Sequence, residues 1–438
     1  VRIALLTPGG LEYDYLGAIC PPLGLLYLVS YCRKYFSDMV EFTVTTGENM
    51  EQLLNEPPDI MGISSVTEGF PAAVALAGTI RRSLGAEFPI ILGGPHITAI
   101  PESLSADFTL GVIGEGEVTF TELIRLYDKA GRFRETELRD IPGLAYHSSN
   151  GKIRLTEPRP PVGDLDLIPP PDRKLAGGSL ITHLITSRGC RFRCYFCSAP
   201  TLWRTCRTHS PAYVVEELIQ SYEALRNRLV IFFDDLFIAD RERILDIAAL
   251  LAGKGLDQAF DFFGYGRTEF IDGPMVTALK KLNMTEVSLG TQSGLSLGAH
   301  RRFREDEHLH QRAIDLCHQN GIQISCSFII GAPFETEDDL AELCRFLERN
   351  RKKLYSIQIS PLRIFPGTSL WEYAGKRGLT EEFVKDWTRV TSFTLFEDFD
   401  PDDYLYLNEV MDFSVFKKYC AELKAILGSG SKEKNQLL

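Results

Sequence analysis

The chain has 438 residues, 44% of them apolar and 24% charged, with a formal net charge of −12. That length accommodates two or three separate cores, and the acidic balance excludes a broad nucleic-acid footprint, which needs a basic face to neutralise phosphates. No run approaches the roughly 20 consecutive apolar residues that cross a bilayer, so no membrane insertion is expected. The opening VRIALLTPGG reads as a buried strand and turn rather than an export leader. Ten cysteines without such a leader point to a reducing, cytoplasmic setting, where clustered thiols serve metals more often than disulfides.

From residue 1 to about 130, short apolar runs alternate with helical patterns: RIALLT, LGLLYLVSYCRKYF, EFTVTT, IMGISS, a helix in PAAVALAGTIRRSL, PIILGG, FTLGVI and a helix from Val118. Strands rich in Ile, Val and Leu on both faces, separated by helices, predict a doubly wound α/β domain with a mainly parallel sheet. In such sheets ligands sit beyond the carboxyl ends of the strands. Those ends carry SSVTEG (64–69), GGPHIT (93–98) and GEGE (114–117), whose small residues allow close backbone approach. GLAYHSSNGKIRL reads as a hairpin turning at Asn150-Gly151, and EPRPPVGDLDLIPPPDRK as a proline-rich connector.

A second alternation starts at Leu180. HLITS, LVIFFDD, FDFFGYG, EVSLG, QISCSFIIG and YSIQISPL read as six strands, with helices starting at Ala212, Arg241, Pro274, Leu309 and Glu337 between them. Six strands are too few for a closed eightfold barrel and suit a partial one, with its site at the carboxyl ends of the strands. The expected organisation is 1–142 sheet domain, 143–179 hairpin and linker, 180–370 partial barrel and 371–438 a mainly helical region. The last stretch, GSGSKEKNQLL, has a disordered composition.

Directly after the first barrel strand stands RGCRFRCYFCS, in which Cys190, Cys194 and Cys197 follow C-x3-C-x2-C. Three thiolates on one loop can ligate three irons of a [4Fe-4S] cluster and leave the fourth iron open. A structural zinc site takes four protein ligands, and Cys206 does not complete a familiar second pair. The spacing, with Phe196 at the aromatic position of C-x3-C-x-aromatic-C, resembles the radical S-adenosylmethionine superfamily. The resemblance implies a partial barrel and a [4Fe-4S] cluster whose open iron is chelated by S-adenosylmethionine, which is cleaved to a 5'-deoxyadenosyl radical. It also implies S-adenosylmethionine contacts at Phe196, at Asp234 and Asp235 for the amino group, at Gln292 and Ser293 near the ribose, and at Gly331 in GAPFE near the adenine. Gln292 stands where the family pattern often has Glu. Taken singly, paired aspartates also cap helices and glycines also end strands.

The segments PPLGLLYL, PDIMGISSVT, GGPHIT and VIGEGE, with LDLIPPPDR in the connector, are similar to the cobalamin-binding subgroup of that superfamily. The resemblance implies a corrinoid held by Pro22 and Leu23, by Ser64, Ser65 and Thr67, by Gly93, Gly94, Pro95 and His96, and by Glu115, Gly116 and Glu117. The D-x-H-x-x-G motif is absent, which implies base-off cobalamin without a histidine from that motif; His96 is a tempting substitute, although a histidine lining the nucleotide-tail pocket needs no metal. Arg267 in GYGRTE and Arg363 in PLRIF stand at strand ends, where either can hold a carboxylate or phosphate of a substrate or form an ordinary salt bridge.

The expected activity is transfer of a methyl group from S-adenosylmethionine, via cobalamin, to a carbon of a small molecule after hydrogen abstraction, with an electron donor such as flavodoxin or ferredoxin as partner. The alternative is a cobalamin-containing radical enzyme that cyclises, rearranges or oxidises without methyl transfer. A methylthiotransferase fits less well, because that family carries three further cysteines in its first domain and only Cys20 and Cys32 are present there.

Overall fold

Segments that are apolar on both faces need cover on both sides, and the structure supplies it. In the computed structural model, residues 1–9, 12–13, 19–36, 39–176, 180–291, 303–390, 395 and 404–428 are described. The first unit contains β1 (Arg2–Thr7), a short hairpin of β2 (Glu12–Tyr13) and β3 (Ile19–Cys20), α1 (Leu23–Phe36), β4 (Glu41–Thr46), α2 (Met50–Asn55) and β5 (Ile60–Ser64). It continues with α3 (Phe70–Leu84), β6 (Ile90–Gly93), α4 (Pro95–Ala99), β7 (Leu110–Val112), α5 (Gly116–Ala130), α6 (Glu135–Leu138), β8 (Leu144–His147) and β9 (Ile153–Leu155). Ile3 to Leu6 and Ile60 to Ile63 are buried throughout, as a sheet covered on two sides requires.

The strand order is β4-β1-β5-β6-β7-β8-β9, parallel up to β7. Counting only the parallel strands in chain order, this is the 2-1-3-4-5 doubly wound arrangement, whose order reverses between β1 and β5. The hairpin assigned above to the linker belongs instead to this sheet: β8 pairs antiparallel with β7, and β9 with β8. Gly151, at φ 77°, makes its turn. The connector is also a packed strap rather than a spacer. Leu165 and Ile168 are buried against Leu23, Leu26 and Tyr27 of α1, and Arg33 pairs with Asp172 at 2.6 Å. Prolines stiffen this strap, while its two apolar side chains anchor it.

The second unit runs β10 (Thr182–Leu184), β11 (Ser187–Arg188), α7 (Ala199–Trp203), β12 (Arg207–Thr208), α8 (Pro211–Leu225), β13 (Leu229–Phe232), α9 (Arg241–Gly253), β14 (Asp261–Arg267) and α10 (Gly273–Lys281). It ends with β15 (Met284–Gly290), α11 (Phe303–Gln319), β16 (Gln323–Ile330), α12 (Glu337–Asn350) and β17 (Ser356–Pro361). β10, β13, β14, β15, β16 and β17 form one parallel sheet in that order, the expected six-stranded partial barrel. Ser210, Asp240, Asp272 and Thr336 each cap the helix that follows, accepting a bond from a backbone N–H of its first turn. These caps explain why four helix starts were legible. The start of α11 was not, because FREDEH ahead of Leu309 has no apolar stripe.

Beyond the barrel lie α13 (Ser369–Gly375), α14 (Glu381–Lys385) and α15 (Phe413–Gly428). α15 packs on the barrel through Phe416, Cys420 and Leu423, while Trp387 and Val390 pack with Phe70 and Ile97 of the first unit. No helix among the described residues is long and apolar enough to cross a membrane.

Candidate functional site

The cysteine loop, residues 189–206, rises from a two-stranded antiparallel ribbon in which Ser187 faces Thr208 and Arg188 faces Arg207. Gly189 opens it at φ 87°, where a side chain would strike the Thr205 carbonyl oxygen at 2.6 Å. The backbone N–H of Cys197 donates to the Cys194 carbonyl at 3.0 Å, closing a tight turn between the two cysteines. Cys190, Cys194 and Cys197 are free and partly accessible. Burial pushes the Cys197 thiol up to about 11 and raises Cys190 and Cys194, so metal binding here must displace protons. Arg267 at the end of β14 counters this for Cys194, with Nη1 3.8 Å from its sulfur.

Tyr195 is buried, and its carbonyl accepts from the Leu370 N–H at 2.9 Å, so the loop is stitched to the segment after the sixth barrel strand. Phe196 packs edge-on to Tyr195 at 5.2 Å, at the margin of the core shared with the first unit. Among the described residues, no three His, Cys, Asp or Glu side chains converge as a single ion demands. Thiolates that each bind a different iron of a cluster need not converge on one point. Three free, partly accessible thiols on a braced loop fit that larger group.

The two aspartates after β13 take different positions. Asp234 is 3% exposed and accepts from the Thr186 N–H at 2.5 Å, the Thr186 hydroxyl at 2.6 Å and the Ser187 N–H at 3.1 Å, bracing the entry to the cysteine loop. Asp235 accepts from the Gly189 N–H and faces Cys190 and Cys197, leaving it as the accessible carboxylate of the pair. Gly331 has φ 86°, and a Cβ there would lie 2.7 Å from the Tyr404 hydroxyl and 3.3 Å from Phe416. Its bareness therefore admits the carboxy-terminal region; its N–H donates to Glu335 at 2.6 Å. Gln292 and Ser293 lie outside the described residues. Arg267 also stacks on Phe192 at 4.6 Å and pairs with Glu269, whereas the Arg363 guanidinium lies 5.2 Å from the Tyr404 ring, within the field of Glu68.

In the first unit, Gly94 at φ 97° lets the β6 loop cross the β5 loop; a Cβ would sit 2.8 Å from the Ser65 backbone and 2.9 Å from the Ser64 hydroxyl. The His96 N–H donates to the Ser65 carbonyl at 3.1 Å. The His96 ring is wholly buried, with Nδ1 3.2 Å from the Thr67 hydroxyl and Nε2 2.9 Å from the Ser103 hydroxyl. It stacks on Phe70 at 3.8 Å and meets the edge of Trp387 at 4.8 Å. Both ring nitrogens are engaged, so this arrangement leaves none for cobalt. Pro22 and Leu23 start α1, with the Pro22 carbonyl accepting from the N–H groups of Leu25 and Leu26. At Gly93, the last residue of β6, and at Gly9 and Gly114, just after β1 and β7, a Cβ would meet nothing within 4 Å. Open backbone at three strand ends, on the side where such sheets take ligands, fits a cradle for a large flat group.

Glu115 and Glu117, at the start of α5, reach the other unit. Arg188 lies 3.2 Å from Glu115 and 2.5 Å from Glu117, and Arg207 also pairs with Glu115. Burial opposes ionisation of Glu117, but Arg188 outweighs it and holds the carboxyl below its ordinary range. Both carboxylates, for which the resemblance implied a corrinoid contact, are instead paired with arginines of the second unit. Gly116, between them, is the first residue of α5.

The Radical SAM superfamily model matches residues 184–347, and the B12 binding domain model matches residues 14–124. An uncharacterized methyltransferase of Pyrococcus horikoshii is 30% identical over 397 residues, spanning 86% of this chain and 83% of that protein. The chain belongs to the cobalamin-binding radical S-adenosylmethionine family. Among other relatives, the anaerobic magnesium-protoporphyrin IX monomethyl ester cyclase of Rubrivivax gelatinosus is 27% identical over 74% of this chain and 61% of its own length. In fold, the chain is similar to the radical S-adenosylmethionine methyltransferase TsrM from Kitasatospora setae, solved with cobalamin and a [4Fe-4S] cluster. The TM-score is 0.67 at 17% identity, over 86% of this chain and 78% of that one.

Several site-building residues carried no sequence signal. Arg188 and Arg207 flank the cysteine motif but look like any surface cation until Glu115 and Glu117 are seen beside them. Glu217 of α8 binds Arg173 of the strap at 2.7 Å and accepts from the Tyr27 hydroxyl at 2.9 Å, joining three segments in one buried contact. Cys206, set aside above for want of a paired cysteine, lines the same cavity as Cys190.

Proposed function

We propose that this enzyme transfers a methyl group from S-adenosylmethionine to a carbon of a small-molecule substrate, using a [4Fe-4S] cluster and cobalamin. The single observation that carries the reading is the 30% identity, over 86% of this chain, to a protein named as a methyltransferase. When bound, the cluster with S-adenosylmethionine supplies a 5'-deoxyadenosyl radical, and the corrinoid a transferable methyl group. The chain's part is position and exclusion of water. Cys190, Cys194 and Cys197 would hold the cluster, and Asp235, accessible beside two of them, suits the cationic amino group of S-adenosylmethionine. The Gly9, Gly93 and Gly114 loops would take the corrinoid. Arg267 and Arg363, at the ends of β14 and β17, suit an anionic group on the substrate. A low-potential carrier such as flavodoxin or ferredoxin would supply electrons in a reducing compartment.

Anaerobic turnover with S-adenosylmethionine labelled in its methyl group tests the proposal, with label in the product as the expected result. A second reading, radical cyclisation or oxidation without methyl transfer, draws on the 27% identity to the cyclase. Deoxyadenosine formed alongside an unlabelled product would establish that reading instead.

A further inference from the structure

In the ribbon at the base of the cysteine loop, Arg188 stands directly opposite Arg207. Like charges placed opposite each other on an antiparallel pair push the strands apart. Here both guanidinium groups are nearly dry, at 5% and 11% exposure, where water does little to screen them. Among the described residues, no carboxylate of the second unit pairs with either arginine. The counter-charge comes from the first unit: Glu115 reaches both arginines and Glu117 reaches Arg188, each carboxylate 7% exposed. Arg188 is further flanked by the Tyr27 and Trp203 rings, 5.9 and 5.3 Å from its guanidinium carbon. Two arginines and two glutamates make a neutral set only when the two units are docked.

We propose that the cobalamin-binding domain completes the cluster mount, with Glu115 and Glu117 as the positioning residues that hold the base of the 189–206 loop closed. The inference rests on the reading of Cys190, Cys194 and Cys197 as cluster ligands, and it assigns the two carboxylates to the cluster side of the interface rather than to the corrinoid. Cluster retention is thereby tied to domain docking: a chain whose sheet domain undocks loses the counter-charge for the loop that carries the iron.

Three variants of the full-length, anaerobically reconstituted protein test this: Glu115→Gln, Arg207→Gln and the two combined. The readout is the half-life of the iron–sulfur absorbance under a ferrous chelator, which involves no turnover. Glu115→Gln leaves a net positive charge in the ribbon and should shorten the half-life at least about tenfold, since unpairing a buried charge is strongly unfavourable. The double variant restores neutrality with Arg188 and Glu117 still paired, and should return to within about twofold of the parent, the non-additivity expected of a direct contact. A Glu115→Gln protein that keeps iron like the parent overturns the proposal. So does a double variant no better than the single when both show the parental circular dichroism. If Glu115→Gln does not fold, recovery of a folded, iron-retaining double variant supports the proposal and its failure to recover overturns it. A parent that takes up no iron overturns both this inference and the cluster assignment, whereas one that keeps its cluster but transfers no methyl overturns only the methyl-transfer reading.

Discussion

Protonation of its buried histidines at low pH should cost this protein stability, and His96 gives a measurable share. His96, His209 and His310 are 0%, 1% and 4% exposed, and each is pushed down to about 4, in every case chiefly by burial. The unfolded chain takes these protons near pH 6.5, the folded chain only near pH 4. Between those values the unfolded state binds more protons, so stability present at neutral pH is lost as the pH falls through that window. At pH 5 the loss works out to about 2 kcal/mol per histidine, or about 6 kcal/mol for the three together. His96→Gln removes one titrating group and should cut the loss between pH 7.5 and pH 5 by about 2 kcal/mol. Urea unfolding at the two pH values, followed by near-ultraviolet circular dichroism, measures it, and comparing the pH-induced losses cancels the substitution's own cost at neutral pH. A variant with the same loss as the parent would refute the reasoning, because the His96 ring would then titrate in the folded state much as it does in the unfolded one.

Cys194→Ser should abolish the iron–sulfur absorbance while leaving the far-ultraviolet circular dichroism unchanged; iron content per chain checks it. Gly189→Val places a β-branched side chain at φ 87°, against the Thr205 carbonyl, and should reduce the iron bound on reconstitution by more than half. Trp387→Ala empties the space between Phe70, His96 and Trp371 and should cost about 3–5 kcal/mol, read as a fall in thermal midpoint. Loss of that contact should also bring earlier proteolytic cleavage after Arg389.

Much of the architecture was legible because its signals are local. Both-face apolar runs such as Ile60 to Ile63 announce buried strands, and Ser210, Asp240 and Thr336 announce the helices they cap. The three cysteines lie within eight residues, so a chemical motif and its spacing are visible together. The misplaced elements were those whose meaning depends on distant partners. The Asn150-Gly151 hairpin was recognised as a hairpin, but its membership of the first sheet depends on pairing with β7. The connector looked like a spacer because two buried apolar side chains among prolines leave no periodic trace.

Composition and spacing by themselves determined that there are two α/β units, and they singled out three clustered thiols as candidates for iron. Only the tertiary structure decided what their neighbours do. It turned Asp234 into a brace, closed both nitrogens of His96, and brought Glu115 against Arg207 from 92 positions away. The reason is physical: a short-range pattern fixes which backbone a segment prefers, whereas the partner of a buried charge is chosen by whatever the folded chain carries to within a few ångströms of it.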